Sequence, residues 1–143
     1  MALLTAQDVQ TLTQQLAVID TPVELLLFTQ TIGGSDSNGL TKQIVSEVAR
    51  LNFRITVEEK SFVLDVDERE KYGVDKAPAV VFLRNDEDTR MRMYGAPTGY
   101  EFIGFVEAVL LAGSGKVELE PSTLALINAV DKPTHIQVFS TPT

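Results

Sequence analysis

The chain has 143 residues, 44% of them hydrophobic, which suits one domain with a core of its own. A formal charge of -8 disfavours nucleic acid and anionic membrane surfaces and points to protein or small-molecule partners. With no cysteine and one histidine, disulfides, thiol nucleophiles, thiolate metal sites and multi-histidine metal sites are excluded together, and neither metal nor cofactor is expected.

No apolar run reaches the length of a bilayer span, and Met1 to Asp8 lacks the basic-then-apolar pattern of a signal peptide, so the sequence predicts a cytoplasmic chain. Thr5 and Asp8 form a capping-box pattern. Val9, Leu12, Leu16 and Ile19 then share one face, which predicts a helix from Thr5 to Ile19. Pro22 breaks it, and Val23 to Phe28 reads as a strand covered on both faces, interrupted only by Glu24.

A polar loop, Thr31 to Gly39, leads into a helix with Leu40, Ile44, Val48 and Leu51 as its apolar stripe. Phe53, Ile55 and Val57 alternate with polar residues and predict a second strand with one face toward the core. Strand, helix, strand at this spacing is a parallel crossover unit. Asp65 to Tyr72 reads as a short solvated turn of helix or an irregular link; its Asp65, Asp67, Glu68 and Glu70 read as a solvated charge run, since spacing alone shows no convergence on a metal.

Ala79 to Leu83 is a third buried strand with Pro78 at its entrance, where proline is tolerated. Asn85 to Asp88 reads as a hairpin turn and Arg90 to Tyr94 as the return strand, Met91 and Met93 on its core side. Thr98 and Glu101 give a second capping-box pattern before a helix carrying Phe102, Phe105, Val106, Val109 and Leu110 inward. After Gly113-Ser114-Gly115, a helix over Pro121 to Val130 and a strand over Thr134 to Ser140 repeat the order with which the chain began. His135 on that strand reads as a surface or edge residue, since there is no nucleophile for it to activate.

The strand, loop and helix from Pro22 to Leu51, followed by the strand after Ala77-Pro78, a hairpin, a glycine and a helix, resemble the thioredoxin fold. The segments Tyr72-Gly73-Val74-Asp75-Lys76-Ala77-Pro78, Tyr94-Gly95-Ala96-Pro97-Thr98-Gly99-Tyr100-Glu101-Phe102 and Ile136 to Thr143 carry a closer resemblance. They are similar to the N-terminal unit of two-unit protein disulfide oxidoreductases, the glutaredoxin-like proteins, and to the related N-terminal domain of the alkyl hydroperoxide reductase flavoprotein. The resemblance implies an α/β fold with a mixed four-stranded sheet flanked by helices. It divides the chain into a thioredoxin-like unit over residues 1–115 and, over 116–143, the helix and first strand of a second such unit, cut before its expected Cys-Pro-Tyr-Cys motif.

In that family the first cysteine sits at the N-terminus of the helix after the first strand, where backbone N–H groups stabilise a thiolate. Here the two cysteine positions fall on Ser35 and Asn38. A serine hydroxyl has no sulfur to exchange, so this chain alone is expected to be inactive in disulfide exchange, with no catalytic residue of its own. Two readings of Ser35-Asp36-Ser37-Asn38 stand side by side: polar N-caps for the helix, or a retained peptide or anion groove.

Ala77-Pro78 matches the family's cis-proline position, and with Gly95 it implies a substrate groove where backbone groups before the proline pair with an extended peptide. The function implied is a redox-inactive domain of a thiol-disulfide oxidoreductase, a scaffold or docking unit for a dithiol-bearing second unit, within cell redox homeostasis. Two alternatives are a stand-alone peptide-binding module and the N-terminal adaptor of a peroxiredoxin-reducing flavoprotein. The implied partners are the second unit, peptide or protein disulfides, and a second copy pairing through residues 134–140.

Overall fold

Alternation along two strands, more than any helix, sets the architecture. In the computed structural model, which describes every residue from Met1 to Thr143, Val23–Thr29 forms strand β1 and Ala79–Arg84 forms β3. Successive side chains of a strand point to opposite faces, so a strand apolar at nearly every position must be covered twice. Val23, Leu25 and Leu27 with Val80 and Phe82 join one core cluster, while Leu26 and Phe28 with Ala79, Val81 and Leu83 join another on the opposite face.

Helices α1 (Ala6–Leu16), α2 (Ser37–Ala49) and α4 (Glu101–Ser114) supply the first cluster with Leu16, Val45, Val48, Phe105 and Val109. Short helix α3 (Val66–Lys71) adjoins the second, which is completed by Phe62, Tyr72, Val74 and Tyr94. Cationic stems close that face: the Arg69 guanidinium lies 4.8 Å from the Phe62 ring centre, and Arg92 donates through Nε to the Tyr72 carbonyl.

The sheet runs β2-β1-β3-β4, where β2 is Ile55–Ser61 and β4 is Glu87–Tyr94. β1 pairs parallel with β2 and antiparallel with β3, and β3 pairs antiparallel with β4, so the sheet is mixed as expected. Asn85 and Asp86 both take positive φ, 49° and 67°, as a two-residue type I′ hairpin turn requires. A register shift between Val81 and Leu83, with Arg90 at φ 65°, bends β4 beyond the turn.

The Thr5 capping box forms: the Asp8 N–H donates to Thr5 Oγ1 and the Thr5 N–H to Asp8 Oδ2. The Thr5 hydroxyl also donates to Asp8 Oδ2 at 2.6 Å, and that bond first, then the Thr5 N–H, holds the Asp8 carboxyl below its ordinary value. Four sequence expectations fail locally. Val9 is exposed although it lies in the stripe of α1, because the buried face is set by Leu12, Leu16 and Ile19 nearer the sheet.

Phe53 is 87% exposed, because β2 begins two residues later and Phe53 itself belongs to a turn. Thr98 does not cap α4. Tyr100 at the helix start is already in the right-handed helical region, and the Glu101 N–H goes to the Thr98 carbonyl instead of its hydroxyl.

Helix α5 (Pro121–Asn128) forms, whereas Thr134 to Ser140 makes no strand and stays exposed. A strand needs a ladder partner for its N–H and C=O groups, and neither sheet edge supplies one to this segment.

Glu24 is the one polar interruption of β1, and its position raises its pKa: burial first, then the neighbouring Glu58 carboxyl, disfavour the charged form. Glu58 itself is lowered, first by its bond to Lys60 at 2.6 Å. With a folded pKa above the unfolded value of about 4.3, the folded chain holds the Glu24 proton more tightly. Stability therefore falls as pH rises between the two values. Glu24→Gln is expected to raise the urea midpoint near pH 7 and to leave it unchanged near pH 3. Equal shifts at both would remove the charge as the cause.

Candidate functional site

One end of the sheet gathers the loops that sequence reasoning singled out. Phe28 at the end of β1 lies opposite Ala79 at the start of β3, and Ala79 lies opposite Tyr94 at the end of β4. Register therefore carries the loop after Thr29, the Ala77–Pro78 pair and Gly95 to the same end, where α2 also starts.

The loop is closed by Asn38. Its Oδ1 accepts from the Gln30 N–H at 2.9 Å and its Nδ2 donates to the Ser35 carbonyl at 3.0 Å, so one amide ties the end of β1 to the first turn of α2. Asn38 is only 6% exposed, and both its polar atoms are satisfied. Gly34 belongs to the same arrangement. A Cβ there would stand 2.0 Å from the Gln30 carbonyl oxygen and 2.8 Å from Asn38 Nδ2, so the loop closes only around a glycine.

The capping reading of Ser35, Asp36 and Asn38 is thus corrected. Asp36 occupies the N-cap position but is itself right-handed helical at φ -58° and ψ -20°, and its carboxylate caps nothing. A side chain caps from an extended residue, which aims its oxygen at the next N–H groups. Ser35 is exposed and its hydroxyl contacts only that of Ser37. Asn38→Ala leaves the Gln30 N–H without its partner and is expected to cost about 1–3 kcal/mol by urea unfolding, against less than about 0.5 kcal/mol for Ser35→Ala.

The Ala77–Pro78 peptide bond is cis. Pro78 is buried, and its carbonyl accepts from the Gly95 N–H at 3.0 Å, which fixes the proline to the end of β4. Ala77 is half-buried, and its own N–H and C=O take no hydrogen bond within the chain. Beside it, Lys76 bonds Asp75 at 2.8 Å and lies 4.6 Å from the Tyr94 ring centre. That bond lowers the Asp75 carboxyl and raises the Lys76 ammonium, each as its largest influence, so both stay charged across the neutral range.

The site therefore offers an unpaired donor and acceptor next to a cis proline, a closed loop with no sulfur, and an exposed aromatic, Tyr100, at the start of α4. No three His, Cys, Asp or Glu side chains converge as a metal site would require. A surface groove of about 650 Å³ lies elsewhere, between the N-terminal arm and α2, bordered by Met1, Leu4, Gln43, Glu47 and Arg50. Gln30, Gly34 and Asn38 as a linked set escaped sequence reasoning. The Gly33-Gly34 pair was the available signal, since a glycine without a turn to make marks close backbone approach.

No family model matches the chain. The alkyl hydroperoxide reductase protein AhpF of Staphylococcus epidermidis, in two strains, is 26% identical over 137 residues, 96% of this chain and 24% of the relative. The chain thus spans about a quarter of the length of these curated relatives. A crystal structure of the N-terminal domain of the Enterococcus faecalis alkyl hydroperoxide reductase AhpF superposes with a TM-score of 0.81 at 28% identity, covering 90% of this chain and 62% of that one. A protein disulfide oxidoreductase from Aeropyrum pernix superposes with a TM-score of 0.76 at 20% identity, covering 87% and 54%, and speaks for the fold alone.

Proposed function

We propose that this thioredoxin-like unit, similar to the N-terminal domain of alkyl hydroperoxide reductase AhpF, is a redox-silent scaffold or docking unit for a dithiol-bearing second unit. The observation that supports it is the loop end itself. The turn that would hold two cysteines is intact, with the Asn38 N–H on the Ser35 carbonyl at 3.1 Å, but it carries a hydroxyl and an amide. Neither can attack a disulfide, which requires a thiolate.

The partner in this reading is the remainder of a second thioredoxin-like unit that starts near Glu118. Helix α5 and the segment after it leave Leu126, Ile127, Val130, Ile136, Val138 and Phe139 exposed, an apolar set that a neighbouring sheet would cover. A second copy pairing through residues 134–140 is the other occupant this set admits. A cytoplasmic place in thiol–disulfide balance belongs to the same proposal. No helix is long and apolar enough to cross a membrane.

The unpaired Ala77 N–H and C=O favour a second reading, an extended-peptide groove formed by Ala77, Pro78 and Gly95 and filled by strand addition. The similarity to alkyl hydroperoxide reductase AhpF favours a third, the N-terminal adaptor of a peroxiredoxin-reducing flavoprotein. Amide shift mapping separates the first two. The remainder of a thioredoxin-like unit, beginning with the Cys-Pro-Tyr-Cys motif and joined after Thr143, is expected to shift residues of α5 and 134–140. A free extended peptide is expected to shift Ala77 and Gly95. Joined units that leave α5 and 134–140 unshifted would overturn the scaffold reading.

A further inference from the structure

The last ten residues form no regular structure and are exposed, yet they are not detached from the body. Ser140 Oγ donates to Glu101 Oε1 at 2.6 Å, and the Tyr100 N–H donates to the Pro142 carbonyl at 3.2 Å. Gly99, at φ +55°, lets these groups meet. A Cβ there would stand 2.1 Å from the Pro142 oxygen and 3.0 Å from its carbonyl carbon. Two backbones are at stake, with no flexible side-chain end to yield, so a side chain at position 99 and a docked tail exclude each other.

Gly99 to Glu101 come just after Gly95 in the chain, and the Gly95 N–H is bonded to the Pro78 carbonyl. Ser140 and Pro142 therefore hold the tail at one edge of the groove, while the space above Gly95 itself remains open.

We infer that residues 134–143 form an intramolecular strap, docked on Gly99, Tyr100 and Glu101, which borders the Ala77 groove and competes with an extended peptide for approach to it. The gating role rests on the peptide-binding reading above; the docking does not. A strap held mainly by two surface hydrogen bonds opens easily, as a gate should.

Backbone ¹⁵N relaxation on the full chain tests the docking. Order parameters of Phe139, Ser140 and Thr141 are expected to stay near the rigid-backbone value of about 0.85 and to fall below about 0.6 in Gly99→Ala. Ser140→Ala, which removes only the hydroxyl contact to Glu101, is expected to loosen the same amides and serves if the Gly99 variant does not fold. A tail already below about 0.6 in the unaltered chain, or one that stays rigid in Gly99→Ala, overturns the docking. Titrating both forms with one extended peptide tests the gate: release is expected to tighten binding severalfold. Equal affinity overturns the gate alone, whereas no binding by either form overturns the gate and the groove reading together and leaves the docking standing.

Discussion

Phe82→Ala is expected to remove about 3–5 kcal/mol of stability, the largest single loss in the molecule. Phe82 sits in the middle of β3, one of the two strands paired on both sides, and is 1% exposed. Its ring centre lies 6.1 Å from that of Phe105 on α4, tilted by 50°, so it joins the sheet to the helix that closes the first core cluster. Truncation leaves a cavity between a strand and a helix that are each fixed by other contacts, and a site that cannot collapse shows the full cost. Against a total stability of about 5–15 kcal/mol, such a loss would leave a visibly unfolded fraction.

Urea unfolding followed by circular dichroism measures it, with Phe53→Ala as the control. The Phe53 ring is exposed, with the Arg54 guanidinium 5.0 Å from its centre. Its removal is expected to change stability by less than about 0.5 kcal/mol. Similar losses for the two phenylalanines would mean that the core is not where the register of β1 and β3 places it.

Ser35→Cys with Asn38→Cys in one chain is expected to create what the loop lacks. The turn between the two positions is already closed by the backbone bond from Asn38 to Ser35, and the first turn of α2 begins at Ser37. N–H groups free at a helix start favour a thiolate, lowering a cysteine pKa from about 8.5 into a range near about 3.5–7.5. The double variant should form an intramolecular disulfide under mild oxidation and reduce insulin disulfides when supplied with a dithiol reductant. The unaltered chain, which has no cysteine, is expected to do neither.

The gain has a cost, because Asn38→Cys also leaves the Gln30 N–H without its acceptor, whereas the Ser35 carbonyl keeps its backbone bond. The reduced double variant is therefore expected to be less stable by about 1–3 kcal/mol. A double variant whose cysteines never pair would show that Ser35 and Asn38 are not the positions of a lost dithiol.

The fold could be read in the sequence wherever a period was long enough to be unambiguous. β1 and β3 are apolar at nearly every position, and α2 and α4 carry stripes at helical spacing, so these elements and their order along the chain followed, while the mixed four-stranded sheet came from the family resemblance. The site could be read only as positions. Ser35, Asn38, Ala77, Pro78 and Gly95 lie at one end of the sheet, but what Asn38 does there depends on a backbone N–H on another element, which no local pattern announces.

The two capping motifs show the same limit from the other side. Thr5 and Asp8 satisfy each other because the chain before α1 is extended, at ψ 164° on Thr5. Before α4 the chain arrives already coiled through Gly99 and Tyr100, and the identical spacing of Thr98 and Glu101 yields a carboxylate that reaches Ser140 instead. The apolar run of residues 134–140 has the pattern of a strand, but a strand is a property of two segments, and no segment of the sheet pairs with it.

Insulin-disulfide reduction tests the central claim most directly, comparing this chain alone, a dithiol unit made of residues 116–143 completed by a Cys-Pro-Tyr-Cys remainder, and the whole chain joined to the same remainder after Thr143. A redox-silent scaffold predicts no turnover above buffer for the chain alone and a higher kcat/KM for the joined protein than for the dithiol unit by itself. Turnover by the chain alone, or a joined protein no better than its dithiol unit, would contradict it.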